Sequence, residues 1–401
     1  MKIALATVGT TGDVLPFRAL ARRLVARGHE VTVVTWPVHR AAMSLPGIRV
    51  EVAGPHADPA RIAAVAADAA RHGPMGQVAI LRDFHLADGE AHLRRLRSLL
   101  PEHDLVLLHA IHSLAHAAVL DDELPWATVA FDPVLLPTAT APPPGMPNLG
   151  PGNRLLWYLV DRALARTGRP LDAILSRAGS EQRGLPLFRA RSPRLHLVAC
   201  SPSIITVPDD LPTSTRVTGR WEEDVPPAPL PEPLAAFLDD GPAPVTITFG
   251  SMAPLPEPML AAVVHRLLDG GRRVVSQTPT GVSSPNLIEV GAADHRTLFP
   301  RSAVALHHGG AGTSHAACAA GIPSVVVPQV GDQRYWADRL AHLGLAPAPV
   351  PVDAVPDRLA DALLETAADP RRRQAAQALA ARIAGEHGLA EAVRLIESLA
   401  H

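Results

Sequence analysis

The chain has a single lysine, Lys2, and two cysteines, Cys200 and Cys318, in 401 residues. The cysteines stand far apart and without metal-ligand spacing, so nothing supports a disulfide or zinc framework, and two buried thiols are the plain expectation. The scarcity of lysine accompanies abundant Ala, Arg and Pro, a bias that fits a GC-rich coding sequence and carries no mechanism. Also missing is any run near the roughly 18 to 20 apolar residues that a membrane-spanning helix needs. This holds although 47% of the residues are hydrophobic and the mean hydropathy is +0.12. The N-terminus, Met1-Lys2-Ile3-Ala4-Leu5-Ala6, lacks both a basic segment before a long apolar core and a small-residue cleavage site. A soluble, cytoplasmic protein without stable membrane insertion is expected. Charge imbalance is lacking too: the net charge is −2, the pI is near 6.8 and the arginines are scattered, so nucleic acid is not an expected partner.

What is present is length and alternation. The chain exceeds the size at which one hydrophobic core stops growing, which predicts two domains of roughly 200 residues each. Residues 2–8 read as a buried strand, Gly9 to Gly12 as a turn, and Phe17, Leu20, Ala21, Leu24 and Val25 as the apolar stripe of a helix closed by Gly28. A second β-branched run follows at 31–35, with further strands at 104–109 and 126–131, the alternation of a parallel, doubly wound sheet. The Pro-, Thr- and Gly-rich stretch 136–153 is longer than an ordinary connection and reads as an acceptor-side lid. A second Pro-rich stretch suits an interdomain linker, giving an N-terminal domain 1–205, a linker 206–232 and a C-terminal domain 233–401. In that C-terminal domain strands are expected at 245–249, 273–276, 304–306 and 324–327, before a helical tail at 355–399.

The most informative segment is His307-His308-Gly309-Gly310-Ala311-Gly312-Thr313, between an apolar strand and a helix ended by Gly321 ahead of Pro323. Glycines allow close backbone approach to a ligand, and the N–H groups and dipole of the helix start favour a diphosphate. A tight turn without a ligand is the competing reading of such a cluster alone. Two neighbours weigh against it. Phe249-Gly250-Ser251 offers a hydroxyl at another strand end, and Gln329-Val330-Gly331-Asp332-Gln333 offers a carboxylate and an amide suited to sugar hydroxyls.

In this order the motifs resemble family 1 nucleotide-sugar glycosyltransferases of the GT-B fold, especially bacterial enzymes that glycosylate antibiotic and macrolide aglycones, and their sterol-glycosylating relatives. The resemblance rests on Gly9-Thr10-Thr11-Gly12-Asp13-Val14-Leu15-Pro16, Phe249-Gly250-Ser251, residues 295–300, the His-His-Gly-Gly-Ala-Gly-Thr run and residues 328–333, and covers nearly the whole chain. It implies an α/β architecture of two Rossmann-like parallel-sheet domains facing across a cleft. The N-terminal domain would take the acceptor and the C-terminal domain the nucleotide sugar, with the C-terminal helix able to pack back on the former. It further implies that His308 and the backbone of Gly309, Gly310, Gly312 and Thr313 hold the diphosphate, that Ser251 assists, and that Asp332 and Gln333 hold sugar hydroxyls. The base would sit near Val290 and Leu298, with Thr11, Gly12 and His112 on the acceptor side. The bland alternatives are Ser251 as a turn former, His307 as a partly buried histidine, Asp332 as a helix cap and Gln333 as a solvent-exposed side chain.

Asp13 opens the first helix, and its simplest reading is an N-cap. The reaction also demands a carboxylate near the attacking hydroxyl. Plant and animal relatives carry a histidine near this point, whereas Thr11-Gly12-Asp13 matches the antibiotic and sterol branch, so the resemblance makes Asp13 the catalytic base. His109, His112 and His116 would share one face if helical, but no carboxylate-rich motif joins them, and the family neutralises its leaving group without a metal; no metal or cofactor is expected. The expected function is an inverting transfer of a hexose or deoxyhexose from a UDP- or TDP-sugar to a hydroxyl of an apolar aglycone, by a monomer or homodimer, a sterol or lipid being the alternative acceptor. A nucleotide-sugar epimerase and a non-catalytic sugar-nucleotide-binding partner are the rivals. A dehydrogenase is disfavoured because Gly9-Thr10-Thr11-Gly12-Asp13 lacks the third glycine of the dinucleotide fingerprint.

Overall fold

The computed structural model describes every residue except Leu135, Pro144, Gly145, Ser251, Ala253, Pro254 and His401, and leaves the side chains of Pro74 and Ala400 undescribed. After Lys2, every side chain of the first strand, β1 (Lys2–Ala6), is fully buried, as expected of a run covered on both faces of a parallel sheet. Ile3 and Leu5 join one core with Phe17 and Leu20 of the Thr11–Ala26 helix, while Ala4 and Ala6 join another with Leu93, Leu96 and Leu114. Each fully buried leucine contributes roughly 1.5–3 kcal/mol.

Six further strands complete this sheet: β2 (Glu30–Thr35), β3 (Ile48–Val52), β4 (Leu105–His109), β5 (Trp126–Ala130), β6 (His196–Val198) and β7 (Thr215–Val217). All neighbours are parallel, in the order β3-β2-β1-β4-β5-β6-β7. The second sheet is built from β8 (Val245–Thr248), β9 (Val274–Ser276), β10 (Leu287–Glu289), β11 (Val304–His307) and β12 (Ser324–Val326), again parallel, in the order β10-β9-β8-β11-β12. Its five strands repeat the order of the first five. In each sheet the order reverses beside the first strand, between β1 and β4 and between β8 and β11. Ligands of open α/β sheets bind in the crevice at the carboxyl ends of such a pair.

The chain divides into a first unit, Met1–Asp224 with His387–His401, and a second, Val225–Glu386. The stretch 206–232, read as linker, therefore belongs in part to the first sheet, whose edge strand is β7. Pro208 and Pro212 precede that strand rather than interrupt it, so no ladder hydrogen bond is lost. The Gly388–Glu397 helix buries Leu389, Ala392, Val393 and Ile396 in the core that holds Ile3 and Leu5. Its first residue must be glycine, because a Cβ on Gly388 would stand 2.5 Å from the carbonyl carbon of Gly219. The stretch 136–153 is anchored where described: buried Asn153 donates to the carbonyl of Ala139 and accepts from the N–H of Leu149, both at 2.9 Å. Trp157 Nε1 donates to the carbonyl of Ala141 at 2.9 Å. No helix among the described residues is long and apolar enough to cross a membrane.

Candidate functional site

In the first unit the chemistry gathers at the carboxyl ends of β1 and β4. The turn after β1 requires glycine, since Gly9 has φ +110° and a Cβ there would lie 2.4 Å from Asp13 Oδ2. Buried His39 fixes the turn through a hydrogen bond of 2.9 Å to the Gly9 carbonyl. Thr10 is the N-cap, so Asp13 is not the cap expected from its position but the third helical residue. Its Oδ2 accepts from the backbone N–H of Thr10 at 2.7 Å and from the Thr10 hydroxyl at 2.9 Å, the returning half of a capping box. Asp13 Oδ1 stands 3.6 Å from His109 Nε2 at the end of β4. Thr11 and Gly12 are exposed in the first turn, where N–H groups have no carbonyl partner within the helix.

His112 sits elsewhere than expected. It is the N-cap of the Ser113–Asp121 helix, its Nδ1 accepting from the Ala115 N–H at 3.3 Å, and its buried ring lies 5.2 Å from that of His92. A cavity of about 410 Å³ opens instead beside His109, Ile111, His116, Asp132 and Leu136, walled by the 184–191 segment and by Leu164 and Ala165. His112 does not line it, being turned into the protein as a cap. Asp132, which sequence reasoning missed, follows β5 at the carboxyl edge of the first sheet, and the strand-end rule that drew attention to Ser251 in the other half of the sequence would have found it. Lack of solvent raises its carboxyl to about 6, the Val134 N–H bond acting against this and the charge of Asp13 with it. Among the described residues no group of three His, Cys, Asp or Glu side chains is placed to hold a metal ion.

In the second unit β11 ends at His307, whose buried Nδ1 accepts from the Gly309 N–H at 3.1 Å. His308 is 7% exposed, and its Nδ1 has no hydrogen-bond partner among the described residues. The next two glycines are sterically required. A Cβ on Gly310 would meet His308 Nε2 at 2.5 Å, and one on Gly309, at φ +90°, would meet Val326 Cγ1 at 2.7 Å and the Gln333 carbonyl at 2.9 Å. Gly310 caps the Ala311–Ala319 helix, whose first N–H groups, on Ala311, Gly312 and Thr313, lack intrahelical partners. Gln333 is buried, not solvent-exposed, because its Oε1 accepts from the N–H groups of Gln329 and Val330 at 2.7 and 3.1 Å and thereby shapes the loop. Asp332 is the N-cap residue of the Gln333–His342 helix and accepts from Trp336 Nε1 at 2.6 Å. Val290 follows β10 and is half-buried, whereas Leu298 is fully buried in the core with Phe299 and Ala317 and supports that region from below. Ser251 lies outside the described residues.

Burial holds several imidazoles neutral: His92, His116 and His308 at about 4, His196 and His307 at about 3, with His112 well below the ordinary value. The unfolded chain takes up these protons near pH 6.5 and the folded chain does not, so stability is full above pH 6.5 and falls as the pH drops from there toward 4. Each such histidine contributes about 1.4 kcal/mol per pH unit in that window. Urea midpoints measured between pH 7.5 and 4.5 are expected to fall steadily below 6.5; a flat profile to pH 5 would refute burial of these rings in neutral form.

Residues 3–45 match the family model for the glycosyltransferase family 28 N-terminal domain, and residues 259–399 match that for the erythromycin biosynthesis protein CIII-like C-terminal domain. The chain is 34% identical over 421 residues to O-mycaminosyltylonolide 6-deoxyallosyltransferase of Streptomyces fradiae, an alignment covering 100% of this chain and 98% of that protein. Among solved structures it is similar to the glycotransferase of kitacinnamycin, with a TM-score of 0.74, 22% identity, and 99% of this chain and 98% of that chain covered. It is also similar to glycosyltransferase VinC in complex with DTDP, with a TM-score of 0.68, 21% identity, and 99% of each chain covered.

Proposed function

This chain belongs to the nucleotide-sugar-dependent glycosyltransferases of the GT-B fold, in the branch of the antibiotic and sterol enzymes, and from that premise we propose that it moves a hexose or deoxyhexose from a UDP- or TDP-sugar to a hydroxyl of an apolar natural-product aglycone, with inversion. The observation that carries this reading is the Asp13 carboxylate, anchored through Oδ2 by Thr10 at the point where the strand order reverses, with Oδ1 left to take a proton. The acceptor oxygen loses its proton to Oδ1 and bonds to the anomeric carbon as the bond from that carbon to the diphosphate breaks. One displacement inverts the configuration.

The departing diphosphate is received by His308 and by the N–H groups of Ala311, Gly312 and Thr313, with the helix dipole adding to them. His308 is neutral near pH 7 and acts as a hydrogen-bond donor rather than as a cation. With its Oε1 engaged by the loop, Gln333 offers its amide Nε2 as the donor for sugar hydroxyls, and Asp332 assists. Apolar groups such as Leu136, Leu164 and Ala165 around the cavity beside His109 suit an apolar acceptor.

The test is turnover of a panel of UDP- and TDP-sugars with apolar hydroxylated acceptors, after dialysis against EDTA, read by mass spectrometry and by the proton coupling at the new anomeric centre. A product with inverted configuration, formed without added metal, is expected. Activity restored only by a divalent ion would overturn metal independence, and a retained configuration would overturn the single displacement. Isomerised sugar nucleotide in the absence of acceptor would indicate an epimerase instead.

A further inference from the structure

Buried polar atoms of folded proteins are nearly always paired, so an orphan beside a reacting group calls for a cause. His109 Nε2 is such an orphan among the described residues, although the side chain is 4% exposed. Its ring is held against Phe131, at 5.0 Å between centroids, and against Phe17, at 6.0 Å. The other nitrogen, Nδ1, accepts a hydrogen bond of 3.1 Å from the Ile111 N–H. An accepting Nδ1 carries no proton, so in the neutral imidazole the ring proton is on Nε2. Burial keeps the ring neutral by lowering its pKa, the charge of Asp13 acting the other way. That N–H lies 3.6 Å from Asp13 Oδ1, beyond a formed hydrogen bond and within reach of one after a small closure.

We propose that His109 is the positioning residue of Asp13: the Ile111 N–H sets its tautomer, and its Nε2–H aims at Oδ1 so that this oxygen meets the acceptor hydroxyl in one orientation. The proposal rests on the reading of Asp13 as the base. Thr10 holds one carboxylate oxygen and His109 directs the other, which fixes the rotation of the carboxylate about its Cβ–Cγ bond. A base oriented by a third group is a recurring arrangement in enzymes that activate a hydroxyl.

Two substitutions separate positioning from packing. In His109→Asn the amide oxygen replaces Nδ1 as acceptor for Ile111, but no donor reaches Asp13; in His109→Gln an N–H is restored at the reach of Nε2. We expect His109→Asn to lower kcat by about 10²-fold, the usual loss from misplacing a catalytic group, with acceptor KM and donor Kd nearly unchanged. His109→Gln should recover a large part of that loss, and Asp13→Asn/His109→Asn should be no slower than Asp13→Asn alone. Parent-like turnover in His109→Asn, no recovery in His109→Gln, or multiplying losses in the double variant would each overturn the proposal while leaving Asp13 as base. Parent-like turnover in Asp13→Asn would remove the base assignment and this proposal with it. Should the His109 variants fail to fold, the ¹⁵N shifts of the His109 ring in the unsubstituted protein decide: a protonated Nε2 with bare Nδ1 supports the proposal, and the reverse overturns it.

Discussion

Replacing Asp13 by asparagine is expected to lower turnover by about 10² to 10⁴ while leaving the melting temperature and the donor dissociation constant nearly unchanged. The geometry separates the two roles of this side chain. The amide oxygen of asparagine takes the place of Oδ2 and still accepts from the Thr10 N–H and hydroxyl, so the start of the Thr11–Ala26 helix keeps its closure. The amide nitrogen then occupies the position of Oδ1, where it cannot accept the proton of an attacking hydroxyl. Melting curves, donor titration and turnover on one accepted aglycone form the paired measurement. An unchanged rate would move the base elsewhere, with Asp132 the nearest alternative at the same sheet edge. A fall in melting temperature with a proportionate loss of rate would reduce Asp13 to a structural capping residue.

His308→Ala is expected to reduce donor-dependent turnover by about 10² to 10³, the loss typical of removing one preorganised donor to a developing anion. The substitution removes a ring for which Gly310 makes room, so the backbone of the following helix start has no reason to move. Because His308 is buried as a neutral ring, its loss does not leave a counter-charge unpaired. Turnover at saturating donor, compared with the parent at matched thermal stability, is the measurement. Equal kinetics would make the His-His-Gly-Gly-Ala-Gly-Thr segment a strand-to-helix turn and nothing more.

How much of this was legible in the sequence depends on length and on order. β1, β2, β4 and β5 have five or six residues, mostly apolar or β-branched and buried on both faces after the exposed Lys2 and Glu30 that open β1 and β2, and each is visible as a run. β6, β7 and β10 have three residues each, too few to show a period and without the adjacent valines that mark the equally short β9 and β12, and β3 is partly exposed at the sheet edge. The turn motifs could be read because glycine and its neighbours are chemically distinctive. What joins them could not, because Asp13 and His109 meet only through the adjacency of β1 and β4, and strand order is a property of the folded sheet. The resemblance assigns His112 to the acceptor side, and nothing in the sequence announces that its ring turns inward as the cap of the Ser113–Asp121 helix. The alternative reading of Gln333 as a solvent-exposed side chain fails because its partners, the N–H groups of Gln329 and Val330, come from a loop that the side chain itself shapes.

The return of residues 388–397 to the first core bears on the order in which the protein is made. The first 224 residues leave the ribosome long before the C-terminus, yet the sheet face carrying Ile3, Leu5, Leu105 and Leu107 lacks one of its covering helices until Leu389, Ala392, Val393 and Ile396 are synthesised. The second unit is thus, in the sense of the chain, an insertion within the first, emerging from Asp224 and returning at His387. During translation it can gather its own core while its host still exposes apolar surface, so the domain begun first is the one finished last.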